Sequence, residues 1–342
     1  MEKTSKCKVC VTGGAGYMGS WLVNKLLEKG YTVHATLRNL DDRCKVDLLK
    51  SFNGADSRLV LFEADIYDPD TFDPAIQGCD FVFHVATPLL HTQGYQFNNT
   101  TEATIAAAKS IAMSCVRSGT VRRLIYTGTV VSASPLMEDG SGFKDSIDET
   151  CWTPLNLSFA YSDSFLRSYA ESKTLTEREI LSYGTDANGT GGLEVISLDA
   201  GLVGGDTLQL YTPSSVVVLI SQLTNNEDMY QKLRYLEELL GKVPVVHIDD
   251  ICEAQIFCME QPSINGRFLC ASNYVSSAEI ASYYQQHFPE FHVKQEYLDG
   301  PNREIKWGVT KLVEKGFEYK YDKKMILDDC IKCARRHGDL QQ

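Results

Sequence analysis

Residues 1–200 predict a doubly wound parallel α/β sheet, and three features of the 342-residue sequence carry that expectation. Short strand-like runs alternate regularly with helical patterns. The runs are apolar on both faces, as in a sheet covered by helices on either side. A glycine-rich turn, Gly13-x-x-Gly16-x-x-Gly19, stands between the first strand and the first helix. After about residue 200 the rhythm becomes irregular and helix-rich, which predicts a smaller, mostly C-terminal lobe.

The expected strands follow in order: Lys8–Thr12, Thr32–Leu37, Leu59–Glu63, Phe81–Val85, Arg123–Tyr126 and Glu194–Leu198. Between them, 3.6-residue apolar periodicity predicts helices over Tyr17–Lys29, Asp41–Phe52, Pro69–Gln77, Glu102–Ser118 and Phe165–Tyr183. Acidic, glycine-containing Glu138–Ser146 reads as a surface loop. Beyond Gly204-Gly205-Asp206, helices are expected over Ser214–Leu223 and Lys232–Leu240, then a strand over Val243–His247 and a helix over Asp250–Met259 capped by Asp249. The tail reads as a strand over Arg267–Ala271 and helices over Ser277–His287, Val309–Lys315 and Lys324–Arg335. The expected division is a nucleotide-binding domain over 1–200, rejoined by 243–262, and a lobe built from 201–242 and 263–342.

Composition narrows the function classes. A net charge of −12 argues against a general nucleic-acid or anionic-membrane surface, so an anionic ligand would need a local basic pocket. No apolar run approaches the roughly 18 residues of a membrane span, and the N-terminus leads into a strand without a signal-peptide core. A cytoplasmic location is the expectation. The eleven cysteines are odd in number and scattered, so they read as buried free thiols. Cys7-x2-Cys10 and Cys330-x2-Cys333 have pairwise zinc spacing but fall in a strand and a helical pattern, so no metal site is expected. The Asn-x-Ser/Thr triplets at Asn98, Asn99, Asn156 and Asn188 carry no meaning without a secretory route.

The glycine turn has the context a dinucleotide site needs, a strand before it and a helix after it. Gly13 and Gly16 permit a tight turn and close approach of a pyrophosphate, and Gly19 lets the helix pack on the sheet. The N–H groups at the helix start, around Tyr17 and Met18, face the phosphates. An NAD site places an acidic residue about 20 positions further on, to hold the ribose 2′-hydroxyl. Here that position is Arg38, with Arg43 and Lys45 close behind, a set suited to a 2′-phosphate and hence to NADP(H). Asp65 and Ile66 follow the third strand, at the adenine edge. Val85, Ala86 and Thr87 follow the fourth and line the path to the nicotinamide ribose.

Tyr169 and Lys173 stand at i and i+4 on an expected helix, one turn apart on one face. An ammonium there can stabilise a phenolate and make a group of free pKa about 10 a usable proton donor. With a dinucleotide nearby, this pair suggests transfer of a hydride and a proton. The fifth strand ends Tyr126-Thr127-Gly128-Thr129, which puts hydroxyls at the sheet's C-terminal edge. Thr129 is the expected partner for the substrate oxygen, with Ser132 in reserve.

Taken together, these segments resemble the extended short-chain dehydrogenase/reductases with a Rossmann sheet. More narrowly they resemble the plant dihydroflavonol-reductase-like branch, which includes anthocyanidin, cinnamoyl-CoA and vestitone reductases. The motifs run nearly end to end: Val11–Gly16, Ala35–Arg38, Phe83–Pro88, Asp148–Trp152, Tyr169–Glu177 and Val246–Asp250. Within the branch, the cereal HC-toxin reductases are similar through Tyr31–Asn39, Ala133–Leu136 and Gly201–Val203. The resemblance puts Arg38 and Lys45 at the 2′-phosphate, Asp65 and Ile66 at the adenine, and Tyr169 and Lys173 at the catalytic pair.

Three positions depart from the branch. Gly128-Thr129 replaces the usual Ser-Ser, which keeps a hydroxyl but adds a methyl. Ser134 stands where dihydroflavonol reductases carry an Asn that reads substrate hydroxyls, which argues against that substrate. Asp199 stands where the branch has a proline beside the nicotinamide; a carboxylate there either favours the oxidised ring or binds a polar substrate. The resemblance implies an NADPH-dependent carbonyl reductase of plant specialised metabolism or detoxification, a monomer or weak homodimer acting on a small carbonyl compound. The rival readings are a flavonoid double-bond reductase, a nucleotide-sugar epimerase or dehydratase that retains NAD, and a silent NADP-binding module. Cofactor preference, co-purifying NAD and NADPH consumption over a carbonyl panel separate them.

Overall fold

The computed structural model describes residues 7–88, 96–156, 159–184, 192–301, 303–308 and 311–341. The chain begins with β1 (Lys8–Thr12), α1 (Tyr17–Glu28), β2 (Thr32–Leu37), α2 (Arg43–Lys50), α3 (Ala55–Arg58) and β3 (Leu59–Glu63). It continues with α4 (Asp73–Ile76), β4 (Phe81–His84), α5 (Thr100–Ser118), β5 (Arg123–Thr129), β6 (Ser146–Ile147) and α6 (Ser164–Ser182). Then come β7 (Glu194–Ala200), β8 (Leu202–Gly204), α7 (Ser214–Leu219), α8 (Ser221–Thr224), α9 (Glu227–Leu240), β9 (Val243–His247) and α10 (Ile248–Glu260). The last elements are β10 (Gly266–Cys270), β11 (Asn273–Val275), α11 (Ser277–His287), β12 (Lys306–Trp307), α12 (Lys311–Glu314) and α13 (Lys323–His337).

Where element ends differ from the sequence expectation, local chemistry accounts for them. The second helix starts at Arg43, because the Asp42 side chain accepts the Lys45 N–H and caps it. The expected helix over Pro69–Gln77 splits into a 3₁₀ turn, Pro69–Phe72, and α4, whose second residue is Pro74 and cannot donate to the preceding turn. Asp249 is not the cap of α10; it lies in the first turn, and its N–H donates to His247 Nδ1 at 3.1 Å. The β-branched Thr127 and Thr129 carry β5 three residues beyond Tyr126. Of the helix expected over Val309–Lys315, residues 309 and 310 lie outside the described ones, as does Asn188.

Two compact units emerge. The first comprises Met1–Gly128, Glu171–Leu198 and Cys252–Phe268. Its seven-stranded sheet has the order β10-β7-β5-β4-β1-β2-β3. β1 pairs in parallel with both β2 and β4, so the strand order reverses between β1 and β4. In doubly wound sheets the ligand crevice opens at that reversal, beyond the C-terminal strand ends. One face is covered by α5, whose Ala103, Ala107, Ala108, Ile111 and Ala112 pack with Cys10, Val82, Leu124 and Val195. Small side chains at that spacing bring the helix close to the strands.

Buried arginines tie strands of this sheet to helices of the same unit. Arg123 Nη1 donates to the carbonyls of Cys258, Met259 and Gln261 at 2.7–2.9 Å, closing the C-terminal end of α10. Arg267 on β10 grips Glu177 on α6 bidentately, at 2.5 and 3.0 Å, with Glu177 fully buried.

The second unit comprises Thr129–Ala170, Asp199–Ile251 and Leu269–Gln342. It holds a three-stranded sheet, β11-β9-β8, and the two-stranded pair β12-β6. The strand Val243–His247, expected to rejoin the first half, instead pairs with β8 and β11, and only Cys252–Phe268 groups with the large sheet. Residues Thr129–Ala170, expected with the first half, group here because Val130, Val131, Ala133, Ile147 and Leu166 pack on Tyr235, Leu239 and Leu240 of α9. Of the eleven cysteines nine are buried, Cys7 is intermediate and Cys44 is exposed. Among the described residues no helix is long and apolar enough to cross a membrane, and no group of three or more His, Cys, Asp or Glu could hold a metal ion.

Removing one partner of a buried ion pair strands the other charge. Glu177→Ala is therefore expected to destabilise the protein by about 3–5 kcal/mol. Glu177→Leu combined with Arg267→Met should recover most of that loss, as read from chemical-denaturation midpoints.

Candidate active site

The turn after β1 is built for close approach. Gly13 adopts φ +67°, and a Cβ there would lie 2.9 Å from Ala86 Cα. A Cβ on Gly19 would fall 2.1 Å from Gly13 O, so only glycine lets α1 pack against the turn. Gly16 differs: it is exposed, and a Cβ on it would meet nothing nearer than Gly13 O at 3.4 Å. The bare Cα there leaves open a cradle that a side chain would fill.

The turn's own amides are largely committed. Gly13 N–H donates to Thr36 Oγ1 (3.1 Å), Gly14 N–H to Thr36 O (2.8 Å) and Gly16 N–H to Gly13 O (3.0 Å). No side chain caps α1 and no acidic residue lies in its first turn. Its positive end, at half-buried Tyr17 and Met18, suits the phosphates of a dinucleotide.

Thr12 joins this turn to β4. Its Oγ1 accepts the N–H groups of Val85 and Ala86, both at 3.1 Å, and lies 2.9 Å from His84 Nδ1. With both lone pairs used, the hydroxyl proton goes to Nδ1, so His84 carries its own hydrogen on Nε2. Burial pushes the His84 pKa down to about 3, with the nearby Lys173 charge adding to the effect. Neither Thr12 nor His84 stands out by residue type; their positions at the ends of β1 and β4 were the available signal.

Arg38, at the end of β2, is 64% exposed and lies 3.6 Å from the Asp65 carboxylate. Asp65 Oδ1 accepts the Tyr67 N–H at 3.0 Å, and Ile66 is buried. These strand-end residues thus lie together. Lys45 does not join them as a spare charge: its ammonium lies 2.8 Å from Asp42, whose pKa it lowers chiefly through their side-chain hydrogen bond.

Lys173 is 6% exposed. Its ammonium donates to Thr87 Oγ1 at 2.9 Å and to the Thr127 carbonyl at 3.5 Å, and stands 5.3 Å from the centre of the Tyr126 ring. Thr127 Oγ1 in turn accepts from the Gln255 amide at 3.0 Å. Gln255 had no sequence signal, because a buried amide within an apolar helix is not recognisable by spacing.

In the second unit, Tyr169 hydrogen-bonds the Thr129 side chain; burial raises the phenol pKa and that bond partly offsets it. Thr129 Oγ1 also accepts the Val131 N–H at 3.3 Å, whereas Ser132 Oγ donates to Thr129 O at 2.7 Å and serves the turn. Ser134 does not fit the substrate-facing role expected of it. It is fully buried, with its hydroxyl donating to Leu239 O and accepting the Leu136 N–H. Asp199 is fully buried at the end of β7.

Fold and turn together define a dinucleotide-binding scaffold. Comparison with known proteins gives the family: residues 9–270 match the NAD dependent epimerase/dehydratase family. A putative anthocyanidin reductase from Ginkgo biloba is 34% identical over 97% of this chain and 95% of its own length. Dihydroflavonol 4-reductase from Gerbera hybrida is 34% identical over 99% of this chain and 89% of its own. The crystal structure of vestitone reductase from alfalfa superposes with a TM-score of 0.78 at 31% identity, covering 98% of this chain and all of that one. The chain belongs to this family and to its plant dihydroflavonol-reductase-like branch.

The unfolded imidazole titrates near 6.5 and the folded one near 3, so the unfolded chain binds the extra proton between those values. The stability due to neutral His84 is complete above pH 6.5 and drains as pH falls toward 3, at up to about 1.4 kcal/mol per pH unit. Melting temperature is expected to fall more steeply between pH 6.5 and 4 in the wild type than in His84→Gln.

Proposed function

We propose that the chain is an NADP(H)-dependent reductase of plant specialised metabolism that reduces a ketone or aldehyde, with Tyr169 as proton donor. The observation that carries this reading is the pairing on α6. Lys173 is held by Thr87 and Thr127, while one turn earlier Tyr169 is bonded to Thr129. The phenol is protonated at neutral pH, as a donor must be; burial raises its pKa, whereas the sequence predicts that Lys173 lowers it. The ammonium on the same helix face would stabilise the phenolate left after transfer. Thr129, whose hydroxyl bonds the phenol in the free site, would turn its O–H to the carbonyl oxygen once substrate is bound.

Gly13, Gly16, Tyr17 and Met18 would hold the pyrophosphate, Arg38 the 2′-phosphate, and Asp65 and Ile66 the adenine. Val85, Ala86, Thr87, Thr127 and Lys173 would line the nicotinamide ribose. The bound dinucleotide supplies the hydride. The names of the relatives support a reductase, and they span more than one kind of substrate. The similarity to an anthocyanidin reductase, at the same 34% identity as the dihydroflavonol reductase, supports reduction of a conjugated C=C bond as the second reading.

Tyr169→Phe is expected to lower kcat by 10²-fold or more while leaving NADPH affinity, read by nicotinamide fluorescence, within about two-fold. Retained turnover would remove Tyr169 from the mechanism. Arg38→Ala should weaken NADPH binding by about ten-fold and leave NADH binding nearly unchanged. NADPH oxidation over flavonoids, phenolic aldehydes, and alkaloid and peptide ketones, with product analysis, separates carbonyl from double-bond reduction.

A further inference from the structure

A lysine side chain has four rotatable bonds, and ordering it in an open crevice opposes binding. Here Lys173 is already ordered. Its ammonium is buried, bonded to Thr87 Oγ1 at 2.9 Å and to the Thr127 carbonyl at 3.5 Å, beside the Tyr126 ring. Each anchor is itself fixed. Thr87 ends a segment whose two preceding N–H groups, from Val85 and Ala86, are tied to Thr12 Oγ1. Thr127 lies within β5, and its hydroxyl is taken by the amide of Gln255, which is fully buried on α10. The 2.9 Å contact is a charge-assisted bond in a water-poor setting, stronger than a neutral one.

We propose that Thr87 and Gln255 are positioning residues that hold the Lys173 ammonium in place before any ligand arrives, Thr87 by accepting its hydrogen bond directly and Gln255 through Thr127. The proposal rests on the reading of Lys173 as partner to the proton donor. Thr87 then has a use beyond lining the crevice, since it makes the ammonium a prebuilt part of the site.

Thr87→Val keeps the shape and removes the acceptor, Thr87→Ser restores it, and Gln255→Leu removes the more distant support. The first measurement does not need activity: competitive acetylation of lysine amines on the folded protein without ligand, quantified for Lys173 by mass spectrometry. Thr87→Val is expected to raise Lys173 labelling by about ten-fold, Gln255→Leu by less, and Thr87→Ser to stay within about two-fold of wild type. The second is the pH profile of kcat, in which Thr87→Val should displace the limb due to the proton donor and Thr87→Ser should return it. Thermal melts identify variants that fail to fold; if Thr87→Val does, Thr87→Ala takes its place. Wild-type labelling and an unshifted profile in a folded Thr87→Val or Thr87→Ala protein would overturn the proposal. Raised labelling alongside full turnover of Tyr169→Phe would instead remove the reductase mechanism and leave the positioning claim standing.

Discussion

The buried bidentate contact between Glu177 and Arg267 fixes the face that the C-terminal part of α6 turns to β10, and the aim of Lys173 follows from it. Tyr169, Lys173 and Glu177 stand four residues apart on successive turns, so they share one broad face of the helix. Once Glu177 is pinned to β10, the angular position of Lys173, one turn before it in the same unit, follows from helical geometry. A guanidinium–carboxylate fork is well suited to this, because its planar geometry tolerates little rotation. Two charges removed from water contribute little net stability, so the contact is better understood as specifying register than as adding strength.

A second constraint is the Thr12 hydroxyl. It accepts two amides from the segment after β4 and donates to His84, so three bonds of one small group join the glycine turn to the neighbouring strand end. The neutral state of His84 belongs to the same device: an imidazolium at Nδ1 would have no acceptor to offer the hydroxyl proton. Burial thus keeps a polar joint intact at the point where the strand order reverses.

Much of the large sheet could be read from the sequence because strong local signals agreed there. β1, β2 and β3 have the bounds that apolar runs and glycine punctuation gave them, and the turn after β1 has the expected glycine pattern. The second unit was harder to read. β8 and β11 are three residues each and pair across long separations in sequence, so periodicity had too few positions to register. Within the site, Tyr169 and Lys173 were recognisable from spacing along one helix, and Arg38 from its distance beyond the glycine turn. Gln255 and His84 were not, because their roles depend on neighbours more than 70 residues away. Ser134 shows the converse error: a residue chosen by position in a motif turned out to spend its hydroxyl on the backbone of α9.

The burial of the thiols has a practical consequence. Cys44 is the one exposed cysteine of the eleven, and it lies in the first turn of α2 between Arg43 and Lys45. A thiol-reactive fluorophore added to the native protein would therefore label mainly this one place, without any cysteine being engineered in or out. The probe would sit in the mixed-charge segment that follows the β2 end carrying Arg38, giving an optical readout of charge and hydration there without any substitution.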